Sequence, residues 1–560
     1  MDTTVHAHLP PRARVVVAAQ PARHAHAIRQ LRRALPGRQV DVVDSGVAVA
    51  SGDADLLVAL ADPATPAPAA LATPEEIGVL PEDGLLLRSG AVAGRPAVVA
   101  AGGGVPGVIH AVHELTRRLS TPSGDDLALP AVDLRQTPSL PYRLFWTWDH
   151  STNWYLEQSG LQDIGALNYY AKPSEGFLQD YTRLVDFMSL HRIGGVTIYG
   201  FLRDSHGGVE AAQELCRYAN ERGVRIIPGI GINSYGGIYW EGNHRYNLTA
   251  WLRQHPELRA VMTEPPTFDI PDFPQLMYPE TPYADAACPS KPENARFHEE
   301  AIAWLAETFE IGGINYEMGD YGACSCADCA ARRAGNANWA MLDMQLLLPR
   351  LFDAARRIRP DLWLIDETYN DAILDLNKLE PLRALPDDVI YQFTVTKSYW
   401  PKVQSGLTRE HVARLPHSKN MLNTLMGSQW QGERYAPVAR RWAELTQRVA
   451  GAGMQGATIW GEVSAFSTVN EINYLAFARF AYDGSLTWDR FLTEDLGPLL
   501  GGAEAAARYL DLLEIPSETR ALAHAAGEAR ELAAAQSGDA YRRWVWLQNR
   551  LHRQQVMMPA

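Results

Sequence analysis

The sequence lacks the features that would mark it as a membrane or exported protein. Among its 560 residues, no apolar run reaches the roughly 18–20 residues that a membrane-spanning helix needs. The segment from Met1 to His8 has no basic stretch leading into an apolar core of signal-peptide length. These absences predict a cytoplasmic protein without a membrane partner.

Cysteine and clustered positive charge are scarce as well. The chain has five cysteines, and four of them lie between residues 288 and 329. An odd number so unevenly placed does not suit an extracellular disulfide framework and favours a metal-binding cluster. The formal net charge is -14, and because the basic residues are scattered, no nucleic-acid partner is expected.

What remains is the composition of an ordinary globular protein, with 46% hydrophobic and 21% charged residues. Residues 14–135 alternate strand-like and helix-like segments and predict a small α/β domain. Residues 1–13 are predicted as an N-terminal tail. Residues 122–141, which overlap the end of this domain, are predicted to lead into the next domain as a linker. The helical spacing of residues 486–560 predicts a helical C-terminal segment.

Between residues 142 and 485 the pattern changes to strands separated by helices. Eight strand candidates are present, at residues 142–149, 196–201, 224–229, 313–320, 362–369, 389–395, 420–426 and 457–462. Repeated βα units over this length predict an α/β fold of the (β/α)8 type, a TIM barrel. Because such barrels place their chemistry at the carboxyl ends of the strands, site residues are expected there.

Five carboxylates stand at or near such strand ends. The fourth predicted strand, Gly313-Ile314-Asn315-Tyr316-Glu317-Met318-Gly319-Asp320, is an apolar run that ends in two of them. The fifth strand carries the adjacent pair Asp366 and Glu367, which face opposite sides, so that one of the two is expected to face the site. The full set of candidates is Glu317, Glu367, Asp366, Asp320 and Glu462.

Aromatic and polar residues gather on the same predicted rim, as a sugar-binding site requires. For any single residue, core packing or loop anchoring is an equal alternative, and the signal is their concentration. Arg203 and Lys397 are candidates to hold a carboxylate of the substrate. Trp240 is one of the further residues on this rim. The candidate binding residues are Trp146, Trp148, Asp149, His150, Arg203, Asn233, Tyr235, Asn315, Lys397, Trp430 and Trp460.

The cysteine cluster is a second candidate site. Cys324-x-Cys326-x2-Cys329 brings three thiolates within reach of one ion, and Cys288 lies 36 residues before Cys324. Four sulfurs suit a closed tetrahedral zinc site, which is structural because no coordination position stays open. Buried free thiols, or one disulfide in an exported protein, are the alternatives.

A glycine-rich segment links these patterns to known families. Gly102-x-Gly104-x-x-Gly107 fits the dinucleotide fingerprint, but no following βαβ unit places an acid near a ribose, which favours a structural turn. The turn and the segments at residues 82–87, 97–100 and 107–115 resemble the small N-terminal domain that precedes the barrel in β-hexosaminidases and α-glucuronidases. In those families this domain carries no catalytic residue.

The barrel shows a related resemblance. Residues 251–257, residues 287–293 and the cysteine cluster look like a group of uncharacterised bacterial barrel proteins, and residues 473–483 are also similar to family 67 α-glucuronidases. Asn315-x-Glu317 is similar to the Asn-x-Glu that carries the general acid in those α-glucuronidases, which makes Glu317 the predicted acid. Family 67 also has an acid after the sixth strand, where this sequence has no glutamate. β-Hexosaminidases carry an Asp-Glu pair on the fourth strand, and this sequence has none there.

The sequence therefore predicts a hydrolase of carbohydrate metabolism, an exo-acting glycosidase that uses carboxylate acid/base catalysis and no catalytic cofactor. Its expected partner is an oligosaccharide or glycoside, with a homo-oligomer left open. The alternatives are a substrate-assisted β-N-acetylhexosaminidase-type hydrolase, a noncatalytic carbohydrate-binding protein on a degenerate barrel, and a lyase or isomerase on the same barrel.

Overall fold

The structure is a computed structural model, and the residues it describes fall into two compact units. The first unit comprises residues 1–141, 184–194 and 217–225, and the second comprises residues 142–183, 195–216 and 226–560. The described residues are 5–45, 54–123, 126–148, 174–234, 236–261, 286–317, 324–334, 339–368, 372–396, 398–424, 426–427, 433, 436–461, 467–516 and 518–557.

The first unit is built on two sheets. Its strands are β1 (Val5–Leu9), β2 (Arg14–Ala19), β3 (Gln39–Asp44), β4 (Leu56–Ala61), β5 (Leu85–Val92), β6 (Arg95–Gly102), β7 (Ser120–Ser123), β8 (Asp126–Pro130) and β9 (Asp133–Gln136). One sheet has the order β3-β2-β4-β6-β5-β9, and the other β1-β8-β7. Its helices are Ala25–Ala34, Pro74–Gly78 and Val105–Arg118.

Three of these strands correct the sequence analysis, because they lie where a tail and a linker were predicted. β1 pairs antiparallel with β8, and β9 pairs antiparallel with β5 at the sheet edge. Several of the proline and polar residues that suggested a linker, among them Pro130 and Asp133, lie within these short strands. Pairing satisfies the backbone groups of the strands, which a free tail or linker would leave to water.

The glycine-rich turn follows β6 and packs backbone against backbone. A β-carbon at Gly102 would lie 2.4 Å from the carbonyl carbon of Gly107, and one at Gly107 would lie 2.2 Å from the carbonyl oxygen of Gly84. No side chain fits either position. Close packing therefore accounts for these glycines without a nucleotide.

The second unit contains a closed barrel of eight parallel strands, which confirms the predicted (β/α)8 fold. Its strands are β10 (Tyr142–Trp148), β11 (Gly195–Tyr199), β13 (Arg225–Gly231), β15 (Gly313–Glu317), β16 (Trp363–Thr368), β17 (Ile390–Val395), β18 (Asn420–Thr424) and β19 (Gly456–Trp460). The pair β12 (Leu202–Arg203) and β14 (Tyr239–Glu241) forms a small separate sheet. Pairing of β19 with β10 closes the barrel.

Helices surround the barrel and form the C-terminal segment, as predicted. Those up to the end of the barrel are Ser174–His191, Gly208–Asn220, Leu248–Gln254, Pro292–Thr308, Ala327–Arg333, Trp339–Ile358, Trp400–Gly406, Arg409–Val412, Ala439–Ala452 and Thr468–Tyr482. The later ones are Trp488–Phe491, Gly497–Leu500, Ala503–Leu513, Thr519–Ala534 and Gly538–Met557. Within the described part of the chain, none of the helices combines the length and apolarity needed to cross a membrane.

An apolar layer fills the barrel near the amino ends of its strands. It consists of Leu144, Ile227, Ile365, Ile390 and Met421, all buried. Side chains two or more residues further along each strand lie above this layer, toward the carboxyl ends. The barrel is therefore closed from below and can hold a site only at the carboxyl end.

Candidate active site

Glu367 is a buried side chain inside the barrel that accepts several side-chain hydrogen bonds. Its Oε2 accepts hydrogen bonds from Asn315 Nδ2 at 2.8 Å, Trp146 Nε1 at 2.9 Å and the Tyr199 hydroxyl at 3.2 Å. Asn423 Nδ2 lies 3.4 Å from its Oε1. Because these donors come from four other barrel strands, the carboxyl group must point into the barrel interior.

Two opposing effects act on the ionisation of this carboxyl group. Burial raises the pKa of Glu367, which has no exposed surface, while the hydrogen bonds from Asn315, Trp146 and Tyr199 act to lower it. Asn315 Nδ2 also donates to the Tyr199 hydroxyl oxygen at 3.0 Å, which links two of the donors. Burial is the larger of the two effects, so the pKa of Glu367 lies above its ordinary value, and the donors offset part of this shift while they fix the orientation of the carboxyl group.

Glu317 ends the neighbouring strand β15 on the same face. Its Cα is the register partner of the Glu367 Cα, and Asn315, two residues earlier, already points at Glu367. Alternation along a strand therefore places Glu317 on the interior face. Tyr316, between them, packs against Phe352 of Trp339–Ile358 with ring centroids 5.1 Å apart. Both glutamates are thus buried at the carboxyl ends of adjacent strands.

Asp366 lies on the opposite face of β16 from Glu367. It is the register partner of Tyr316 on one side and of Tyr391 on the other, and the Tyr391 ring stacks on His417 outside the barrel interior. Strand alternation thus turns the Asp366 carboxyl away from the site, which removes it from the candidates for a second carboxylate. Among the described residues, neither of its oxygens has a hydrogen-bond partner.

The burial of Asp366 leads to a pH-dependent prediction. Burial, with a smaller contribution from the charge of Glu367, raises the pKa of Asp366 to about 8, whereas its ordinary value is 3.8. Between about pH 4 and 8 the folded protein therefore holds a proton on Asp366 that the unfolded chain has released. The contribution of Asp366 to stability is complete below about pH 4, and it is lost as the pH rises through 8.

Asp366→Asn is expected to raise the free energy of unfolding at about pH 9 by roughly 1–3 kcal/mol, and to change it little at about pH 3.5, below the ordinary pKa of aspartate. Urea unfolding at both pH values measures this. Equal pH dependence in the variant and the wild type would show that Asp366 does not carry the effect.

An aromatic wall surrounds the Glu367 network. The ring centroids of Trp146 and Tyr199 lie 4.4 Å apart, those of Trp146 and Trp460 lie 4.5 Å apart, and those of Trp148 and Trp240 lie 5.5 Å apart. These five residues, Trp146, Trp148, Tyr199, Trp240 and Trp460, are called the aromatic wall below. They are buried and come from β10, β11, β14 and β19.

Two members of this site escaped the sequence analysis, Tyr199 and Asn423. Both lie inside predicted strands rather than at their ends, where site residues were expected. A β-carbon on Gly229 would lie 2.1 Å from the Tyr199 ring, so the missing side chain in β13 makes room for it. Counting alternate residues back from Phe201, the end of the predicted second strand, reaches Tyr199, whereas the same count from Met426 reaches Thr424 and misses Asn423.

The remaining predicted site residues, both binding and catalytic, divide into two sets. Arg203 is buried with its guanidinium carbon 5.3 Å from the Trp240 ring centroid, beside the aromatic wall, and Asn233 is buried after β13. The others lie outside the described residues, and their roles stay predictions. They are Asp149, His150, Tyr235, Asp320, Lys397, Trp430 and Glu462.

The structure also brings the four cysteines of the predicted metal site together. The Sγ atoms of Cys288, Cys324, Cys326 and Cys329 all lie within 4.8 Å of one another, and none forms a disulfide. Cys288, Cys324 and Cys329 are buried, and Cys326 is partly exposed. They form a separate group from the Glu317–Glu367 pair.

Comparison with known proteins adds evidence from structure alone. No family model matches the sequence, and no curated protein matches it. The solved structures that are similar over most of this chain include three at 12–14% identity. The likeness is one of fold. It gives no support to the family 67 resemblance, which stays a prediction.

The similar structures include a β-N-acetylglucosaminidase, a β-N-acetylhexosaminidase and a chitobiase. A GH20 exo-β-N-acetylglucosaminidase from Vibrio harveyi has a TM-score of 0.53 at 12% identity, covering 89% of this chain and 75% of that one. A β-N-acetylhexosaminidase from Bacteroides fragilis has a TM-score of 0.54 at 13% identity, and the match covers 91% of this chain and 93% of that one. The Flavobacterium johnsoniae chitobiase has a TM-score of 0.53 at 14% identity, and the match covers 96% of this chain and 75% of that one.

Proposed function

We propose that this protein is an exo-acting glycoside hydrolase that removes a terminal sugar from an oligosaccharide or glycoside. The observation that carries the proposal is the pairing of Glu317 and Glu367 on the same interior face of adjacent barrel strands, beside the aromatic wall. Two carboxyl groups flanking one space are the minimum apparatus for glycosidic cleavage. Aromatic rings beside them suit the apolar faces of a sugar.

The two glutamates take different roles in this proposal. Glu317 gives its proton to the glycosidic oxygen as the bond to the anomeric carbon breaks. Glu367, oriented by Trp146, Asn315 and Tyr199, acts in its ionised form and faces the positive charge that develops on the sugar. Water completes the reaction, adding its oxygen to the anomeric carbon and returning a proton to a carboxylate.

The strand positions favour the retaining mode of hydrolysis. The Cα atoms of register partners on adjacent strands lie about 4.8 Å apart. Side chains of equal length that leave the strands in parallel would keep a similar carboxyl separation, nearer the about 5–5.5 Å of retaining enzymes than the about 6.5–9.5 Å of inverting ones. Glu367 would then bond to the anomeric carbon while the leaving group departs with the proton of Glu317. Water would displace Glu367 in the second step, giving its proton to Glu317.

A second candidate is substrate-assisted hydrolysis of an N-acetylhexosaminide. The printed names of two similar structures, a β-N-acetylglucosaminidase and a β-N-acetylhexosaminidase, favour such a substrate. The position of Asp366 speaks against it, since the adjacent Asp-Glu pair of this chain lies on the fifth barrel strand with its aspartate turned outward. We therefore rank it second.

The proposed reaction needs no cofactor, because both reacting groups are carboxyls. In this proposal any zinc bound by the cysteines is structural. A cytoplasmic location and a homo-oligomeric state remain predictions from sequence.

A panel of aryl glycosides in water enriched in ¹⁸O tests the proposed function. We expect release of the aryl alcohol from at least one terminal glycoside, with one ¹⁸O atom in the sugar product. Cleavage restricted to N-acetylhexosaminides would favour the substrate-assisted alternative.

Two outcomes would contradict the proposal. Saturable sugar binding without turnover on the whole panel indicates a noncatalytic binding protein. A sugar product without ¹⁸O indicates a lyase or an isomerase.

A further inference from the structure

The cysteine cluster has the dimensions of an ion site. Cys288 Sγ lies 3.7 Å from the Sγ atoms of Cys324, Cys326 and Cys329. A zinc ion bonded to four thiolates at about 2.3 Å holds them tetrahedrally, which places the sulfurs about 3.8 Å apart. We propose that these four residues bind one zinc ion in a closed, structural site. This inference does not depend on the proposed reaction.

The same distances exclude the predicted alternative of a disulfide. A disulfide requires sulfurs about 2.05 Å apart, whereas the Sγ of Cys288 lies 3.7 Å from each of the other three, and all four cysteines are free. The compactness of the group also excludes a larger cluster, because all four sulfurs lie within 4.8 Å and so surround a single ion. Four thiolate ligands favour zinc over hard cations such as Mg²⁺ or Ca²⁺.

Hydrogen-bonding groups around the sulfurs suit thiolate ligands. The Val261 amide donates to Cys324 Sγ at 3.3 Å, and the Ser290 hydroxyl lies 3.0 Å from Cys329 Sγ. Arg332 Nη2 lies 3.9 Å from Cys329 Sγ. A tetrathiolate zinc site carries a net charge of minus two, so cations and N–H donors directed at the sulfurs stabilise it.

A pair of arginines is fixed beside the site. Arg333 Nη1 donates to the Cys324 carbonyl oxygen at 2.7 Å, and both Arg332 and Arg333 bond to the buried carboxylate of Asp343. Asp343 thus holds both cations in place before any metal binds. Such preorganisation lowers the cost of gathering four negative sulfurs.

The site joins two segments that flank the strand end of Glu317. The insertion after β13 reaches it through Cys288, whose amide donates to the Leu258 carbonyl oxygen at 3.0 Å. The segment after β15 reaches it through Cys324, seven residues beyond Glu317, and is tied to the insertion by Ser325 N donating to Val261 O at 2.7 Å. A zinc ion would fasten these segments together and so restrain the carboxyl end of β15.

Zinc content of the full chain, purified without chelator, tests the inference. We expect about one equivalent of zinc per chain by elemental analysis. Cys326→Ala, at the most exposed ligand, is expected to bind less than about a fifth of an equivalent, because three ligands do not close the site. The matched control is Cys216→Ala, which removes a buried thiol outside the cluster and should keep the full equivalent.

A second measurement uses wild-type protein and tests the site even if the Cys326→Ala variant does not fold. Wild-type protein refolded with Co²⁺ should show the intense visible absorption of tetrahedral cobalt–thiolate coordination, and equimolar Zn²⁺ should remove it. Less than a tenth of an equivalent of zinc in wild-type protein grown with zinc, one equivalent of iron instead, or two disulfides by mass spectrometry would each overturn the inference.

Removing the metal should also lower the melting temperature by about 5 °C or more, since the site's binding energy contributes to folding. A fall in kcat on chelation is an additional expectation that rests on the proposed function. The two proposals remain distinguishable: an inactive protein with a full equivalent of zinc contradicts the reaction alone, and an active protein without metal contradicts the zinc site alone.

Discussion

Glu317→Gln is expected to lower kcat by about 10³-fold on a glycoside with a poor leaving group, and to change sugar binding little. Glutamine keeps the size of the buried glutamate and most of its hydrogen-bonding capacity, but it has no proton to give to the leaving oxygen. Steady-state kinetics together with titration of the product sugar measure both effects. The loss should shrink as the leaving group becomes more acidic, because such a group departs without protonation.

The matched control for this experiment is Glu307→Gln, which makes the same change on an exposed position of Pro292–Thr308. It should leave kcat unchanged. A Glu317→Gln variant within tenfold of wild type on every leaving group would show that another carboxyl group supplies the proton. Asp320 and Glu462 would then be the next candidates.

Glu367→Gln is expected to lower kcat by about 10³-fold or more on all leaving groups alike. The glutamine oxygen can still accept from Trp146, Asn315 and Tyr199, so the network survives while the negative charge that faces the anomeric carbon is lost. Kinetics across the same leaving groups, with thermal unfolding to check the fold, separate this pattern from that of Glu317→Gln.

Glu367→Ala provides a sharper test of the role of this carboxylate. Its removal opens space beside the anomeric carbon, and added azide should restore turnover and appear as a glycosyl azide. The alanine variant should also unfold more easily, by about 3 kcal/mol, since three buried donors lose their acceptor. Full activity of Glu367→Gln, or no rescue of a folded Glu367→Ala, would assign Glu367 to structural support.

The order of the barrel strands was predictable because each strand is a local signal. The run that ends at Glu317 and the run that carries Glu367 are short, apolar and separated by the helical pattern of Trp339–Ile358. Once eight such strands are counted, the barrel follows, and with it the expectation that these glutamates share one end. The order of the eight strands along the chain was enough to predict this arrangement.

The short strands of the first unit were not predictable in the same way. Val5–Leu9 and Asp126–Pro130 lie more than a hundred residues apart and stabilise each other. Each alone is too short and too mixed in polarity to show a period. A prediction from local pattern therefore assigned them to a tail and a linker.

Local periodicity and residue type are enough to predict the barrel, the strands that carry Glu317 and Glu367, and the four cysteines as one group. Tertiary packing was needed to establish that Glu367 faces the interior while Asp366 faces outward. It also decided that Tyr199 and Asn423 complete the site, and that the sulfurs stand about one zinc tetrahedron apart. Closure of the barrel sets the direction of each side chain, and closure depends on pairing between strands far apart in the chain.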